Sequence, residues 1–169
     1  MTTPVTFVPR TISTWVSRIS NLDLLNTRAR SPRRCAPQES RLPIGPKGAW
    51  VLVKEIFGWR DFANRRELAA CVGLAPTPYA SGDSEIEQGI SKAGNRRVRA
   101  MLVEQAWKWL QLQPDGALTQ WFNRRFASGG KRMRRVGIVA LARRLVIALW
   151  RYLKHGEIPA GAVLKPAAV

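Results

Sequence analysis

One stretch of this sequence, Gly73 to Arg99 (GLAPTPYASGDSEIEQGISKAGNRRVR), limits the possible fold more than any other. Two proline turns, a Ser-Gly corner and four glycines interrupt a chain that is otherwise patterned for helix. A run of this length without helical period inside a compact domain is either functional or disordered. Its residues favour order. Ile86 and Ile90 make a short extended pattern with Tyr79 upstream, and Lys92, Arg96, Arg97 and Arg99 crowd the start of the next helix. An ordered loop or short hairpin facing a basic patch points to a polyanion.

Helical pattern surrounds this stretch. In PIGPKGAWVLVKEIFG a Gly-Pro-Lys-Gly turn leads into a helix whose Ala49, Leu52, Val53 and Ile56 form one apolar stripe, with Gly58 as its stop. Asn64 followed by Glu67 is a capping-box variant that opens a second helix, with Leu68 and Cys71 inward and Gly73 at its end. This pair, with its glycine-rich lead-in, resembles half of a helix-hairpin-helix, a DNA-backbone module, although one glycine is absent between Pro43 and Ile44. Lys47 in the turn is a candidate nucleic-acid contact. Asn95 is placed to cap a long helix from Arg96 to about Gln113, with Val98, Leu102, Gln105 and Trp109 on one line. Pro114 stops it. Asp115 opens a shorter helix with Leu118, Trp121, Phe122 and Phe126, ended by Gly129 and Gly130. The last helix is expected over Arg134 to His155, with Ile138, Leu141, Leu145, Leu149 and Tyr152 inward and Arg143, Arg144, Arg151 and Lys154 outward. Trp107, Trp109, Trp121 and Trp150 fall at helical spacing and are expected in the core. The fold class is mostly α: a compact helical domain with a central ordered loop or short hairpin, preceded by a partial helix-hairpin-helix-like element.

Outside this domain the pattern fades. Residues 1–42 hold seven arginines against Asp23 and Glu39, and only Ile12 to Leu25 shows a helical period. They read as a poorly ordered arginine-rich segment, residues 43–161 as the domain, and residues 162–169 as a loose tail. With 46% hydrophobic residues the 169-residue chain can bury one real core. A net charge of +17 is tolerated mainly when a polyanion neutralises it, nucleic acid first and an anionic membrane surface second. Cys35 and Cys71 have no neighbouring ligands, so they define neither a zinc site nor a disulfide scaffold and fit a reducing cytosol. The apolar run Val136 to Leu153 is interrupted by Arg143 and Arg144 and is not expected to span a bilayer.

The motifs GLAPTPYASGD and GISKAGNRRVR, followed by an aromatic helix and a basic helix with ALARRLVIALW, resemble the C-terminal domain of the insertion-sequence one-ten, one-sixteen and nine-oh-two transposases, relatives of the pilin-gene invertases. The likeness runs from about Pro43 to Gly161. It implies a two-part enzyme for DNA transposition. A ribonuclease-H-like domain would hold divalent metal on an Asp-Glu-Asp-Asp set, and the C-terminal domain would supply a serine that attacks DNA. It further implies a structured guide RNA, a homo-oligomer in the full-length proteins, and a bacterial cytoplasmic, nucleoid-associated setting. By position in the motif the nucleophile maps to Ser81, with Ser91 as the alternative. Activation of a serine hydroxyl needs a base or metal-bound carboxylate, and a phosphoserine would conserve the phosphodiester energy for rejoining. The metal-binding domain, roughly 150 residues, has no counterpart in residues 1–42. The chain is therefore expected to be a fragment that binds no cofactor alone, with Mg²⁺ required only alongside the missing domain.

Lys92, Asn95, Arg96, Arg97 and Arg99 lie at a helix N-terminus, where backbone amides favour phosphate, and they form one candidate nucleic-acid-binding group. Arg143, Arg144 and Lys47 complete the set. Asp83, Glu85 and Glu87 are either a metal or orienting cluster or solvated carboxylates. No metal site is assigned. A non-enzymatic nucleic-acid-binding remnant of a mobile element is the alternative reading.

Overall fold

The computed structural model describes residues 44–81 and 84–162, with backbone alone over 78–81 and 84–88. The expected segment 1–42, the tail from 163 and Asp83 lie outside the described residues. The first helix, α1 (Pro46–Leu52), has Pro46 in its first turn, where a missing N–H costs nothing, and continues as a widened π-type turn over Val53–Phe57. The Gly58 N–H closes that turn onto the Val53 carbonyl at 2.6 Å. Ala49, Leu52, Val53 and Ile56 are fully buried, as their spacing indicates. Helix α2 (Arg65–Val72) begins at Asn64, whose Oδ1 accepts from the Arg66 and Glu67 N–H groups, while Glu67 accepts from the Ala63 N–H.

Two antiparallel strands follow, β1 (Pro76–Ser81) and β2 (Ser84–Ile90), paired from Pro76 opposite Ile90 to Ser81 opposite Ser84. The central stretch is thus a hairpin. Its register slips between Pro76 and Pro78, where proline has no N–H to give the ladder.

Three helices complete the chain: α3 (Arg96–Leu112), α4 (Ala117–Phe126) and α5 (Lys131–His155). Helix α5 is the central element, packed by α3, α4 and α2. Its Ile138, Leu141, Leu145, Val146 and Leu149 recur at three- and four-residue intervals and are buried. Gly137 lies where α4 crosses it. A β-carbon there would stand 2.5 Å from Cγ of Phe126 and 2.8 Å from Phe122, so only glycine permits this approach.

Several boundaries and faces differ from the sequence reading. Helix α5 starts at Lys131 and not Arg134, because Gly130 serves as its N-cap and nothing in KRM resists helix. Helix α4 is capped by Gly116 and not opened by Asp115. Trp109 is buried, but Trp107 is 38% exposed and Trp121 and Trp150 are only half-buried, so four tryptophans at helical spacing do not share one face. Cys71 is half-buried and its sulfur accepts from Arg60 Nη1 at 3.0 Å. No helix among the described residues is long and apolar enough to cross a membrane.

Candidate nucleic-acid interface

The hairpin is rooted in a lock between the end of α2 and the start of α3. A helix leaves its last carbonyls without intrahelical partners, and here the returning chain supplies them. The Asn95 N–H donates to the Cys71 carbonyl at 3.1 Å, Arg99 Nη1 to the Val72 carbonyl at 3.1 Å, and the Lys92 N–H to the Gly73 carbonyl at 3.2 Å. The Ser91 N–H bonds the Ala75 carbonyl at 2.9 Å. Lys92 is left-handed at φ 54°, and Gly94 has φ 140°, a conformation essentially restricted to glycine. A β-carbon on Gly94 would strike the Cys71 carbonyl oxygen and stand 2.8 Å from the Gly73 nitrogen.

The candidate residues at this lock separate by role. Asn95 caps α3: its Oδ1 accepts from the Arg97 and Val98 N–H groups, and its Nδ2 donates to Glu55 Oε2 at 2.9 Å. The amide oxygen caps α3, and the amide nitrogen ties that cap to the π-type turn after α1. Arg99 points back at α2. Ser91 is half-buried in the strand-to-helix connection and caps nothing; Asn95 holds the cap. Lys92, Arg96 and Arg97 are exposed, and the first turn of α3 carries no acid to offset them. Cations there oppose the helix dipole unless an anion lies between. Lys47 is exposed in the first turn of α1.

Arg143 and Arg144 occupy a feature the sequence did not disclose. An open groove of about 1070 Å³ runs between α4, α5, the first turn of α2 and the root of the hairpin. Arg65, Arg66, Arg125, Arg143, Arg144 and Arg151 line it, along with Trp121, Phe126, Val139 and Ile147. Among the described residues Glu157 is the one acid along it, and Ile158, Pro159 and Ala160 also line it. The Arg144 guanidinium lies 3.9 Å from the centre of the Trp121 ring, which meets Phe126 edge-on at 5.5 Å. Partial burial, and then the neighbouring Arg125 guanidinium, hold Arg144 below the usual guanidinium range. Like charges held together on an apolar wall favour a bound anion.

Pro76, Gly89 and Ile90, the base of the hairpin, line the same groove. Ser81 ends β1 five residues beyond Pro76. At about 3.3 Å per residue its backbone lies at most roughly 17 Å along the strand from Pro76. The Ser81 side chain lies outside the described residues. Arg143 and Arg144 were candidates from the sequence, whereas Arg65, Arg66, Arg125 and Arg151 were not; the six lie on three helices, up to 86 positions apart (Arg65 to Arg151), and only packing brings them together. Among the described residues no three His, Cys, Asp or Glu side chains gather as a metal site.

The arrangement defines a class: a cationic helical domain with an arginine-lined groove and a projecting hairpin. Residues 41–120 match the Transposase IS116/IS110/IS902 family. A putative transposase of Sinorhizobium fredii, y4rJ, is 48% identical over 123 residues, covering 72% of this chain and 31% of the relative. The transposase for insertion sequence element IS1328 of Yersinia enterocolitica is 27% identical over 117 residues, covering 68% of this chain and 34% of the relative. The transposase for insertion sequence element IS1111A of Coxiella burnetii is 31% identical over 78 residues, covering 46% and 21%. The chain carries, over residues 41–120, the sequence of the IS116/IS110/IS902 transposase family. It spans about a third of the length of the first two of these relatives. No solved structure matches it.

Proposed function

We propose that this chain is the part of an insertion-element transposase that grips a nucleic-acid backbone and presents a serine to DNA. The observation that carries the proposal is the arginine-lined groove opening at the root of a hairpin whose β1 ends in Ser81. Arginine guanidinium groups pair well with phosphate oxygens and position a strand without reading its sequence. The family match supports DNA as the substrate.

In the step we assign to Ser81, its Oγ attacks a DNA phosphorus and one P–O bond to sugar breaks. The departing deoxyribose oxygen takes a proton, the serine proton passes to a base, and a phosphoserine ester remains. Attack by a second strand's hydroxyl reverses the sequence and rejoins the DNA. No step above is routed through Mg²⁺. We assign Mg²⁺ to a carboxylate-bearing domain supplied by a longer polypeptide. A structured guide RNA, self-association and a cytoplasmic location at the nucleoid belong to the same reading.

The test is a chimera in which this chain replaces the matching third of the 48% identical relative. With labelled element-end DNA and Mg²⁺, the chimera is expected to form DNA adducts that survive denaturation. Ser81→Ala is expected to lower them at least about 100-fold, the scale of losing a nucleophile, while Ser91→Ala retains them. Adducts that persist in Ser81→Ala would overturn the assignment. DNA binding with no adduct from either chimera would favour the non-enzymatic alternative.

A further inference from the structure

A second surface, on the α1 side of the molecule, is built differently from the groove. Trp50 is 46% exposed and Trp59 is 64% exposed. Single exposed apolar residues need no explanation, but these two rings are fixed and linked. Lys54 Nζ stands 4.6 Å over the Trp50 ring, Trp59 Nε1 donates to the Lys54 carbonyl at 2.9 Å, and the Arg60 guanidinium lies 4.2 Å from the Trp59 ring centre. Arg60 is anchored in turn on Cys71 Sγ at 3.0 Å. Two cation–aromatic pairs, Lys54 on Trp50 and Arg60 on Trp59, are thus joined through the Lys54 backbone carbonyl. Trp59 lies just past the π-type turn, whose extra residue shifts the register of the side chains that follow.

Exposed indole rings, each with a cation over one face, match what unpaired bases and their phosphates need, whereas a duplex hides its base faces within the stack. The acid on this element, Glu55, is turned away to accept from Asn95 Nδ2. We propose that Trp50 and Trp59 form a stacking platform for an unpaired stretch of DNA, with Lys54 and Arg60 on its phosphates. The choice of DNA rests on the transposase reading above; the platform itself rests only on the side-chain geometry.

The experiment measures anisotropy of labelled 15-nucleotide oligothymidylate, oligouridylate and a duplex of equal length with the 169-residue chain at fixed salt. The double variant Trp50→Ala/Trp59→Ala is expected to bind oligothymidylate about 10- to 100-fold more weakly, on the order of one decade per ring. Duplex affinity is expected to stay within about twofold. Trp50→Phe/Trp59→Phe keeps aromatic faces and is expected to restore most of the single-strand binding, which excludes a folding defect as the cause. Equal losses for single strand and duplex, or no loss at all, would overturn the platform. A preference for oligouridylate of tenfold or more would overturn the assignment to DNA. None of these outcomes depends on Ser81, so this proposal and the strand-cleavage proposal fail separately.

Discussion

Reversing both charges in Arg143→Glu/Arg144→Glu is expected to lower affinity for duplex DNA by about 100- to 1000-fold at moderate salt. Both side chains line the groove, and Arg144 is the group whose charged form is penalised by burial and by Arg125. A phosphate between Arg144 and Arg125 would offset the repulsion between the two guanidinium groups. A hydrogen bond to a charged group contributes about 1.5–3 kcal/mol. Two such contacts removed and replaced by repulsion reach the stated range. The fold is expected to survive, since the inward face of α5 is made by Leu141, Ala142, Leu145 and Val146. Circular dichroism should show unchanged helix content, and titration of a labelled duplex reads the affinity. Wild-type affinity in a folded variant would remove the groove from the interface.

Gly94→Ala is expected to be among the most destabilising single-methyl changes available in this chain. Its φ of 140° is closed to side-chain-bearing residues, and the added carbon meets the Cys71 carbonyl that accepts from the Asn95 N–H. Relief requires moving the chain at the point where α2, the hairpin and α3 are joined. Backbone strain of this kind costs about 1–3 kcal/mol, and disturbing the hydrogen bonds of the lock adds about 1 kcal/mol for each bond lost. A total of about 3–5 kcal/mol would lower Tm by roughly 10–20 °C in a domain of this size. By contrast Gly89→Ala, with open space around its β position, carries only the backbone strain of its φ of 83°. Thermal melts of the two variants measure the difference. Equal, small shifts would show that the lock does not hold the hairpin root.

Much of this architecture was legible in the residues themselves. Asn64 and Asn95 cap helices as their side chains suggest, and Gly73 and Gly156 end helices in the left-handed conformation. Those features are local: one side chain satisfies its own backbone. The family signature was legible too, but its physical meaning was not. In GISKAGNRRVR Asn95 and Arg99 tie α3 to the end of α2, Gly94 permits the close approach, and Lys92, Arg96 and Arg97 are left exposed. Nothing in the local pattern separates an arginine that satisfies a distant carbonyl from one that faces solvent.

The groove was illegible for a related reason. Arg65 and Arg66 open α2, Arg125 ends α4, and Arg143, Arg144 and Arg151 lie along α5, so only the packing of helices brings them together. Trp121 read as core because its spacing is helical, yet it stands half-buried under Arg144. Trp59 lies just past Gly58, where the helical pattern stops, so no period assigned it a face. Tertiary placement decides these cases.

The central claim, that the arginine groove holds a nucleic-acid backbone, is tested most directly by the salt dependence of duplex binding. Each neutralised phosphate contributes about −0.9 to the slope of log K against log salt. Engagement of four to six groove arginines gives a slope of about −4 to −5, and Arg143→Glu/Arg144→Glu should make it shallower by about 2. A flat wild-type slope, or one that the double variant leaves unchanged, would contradict the account.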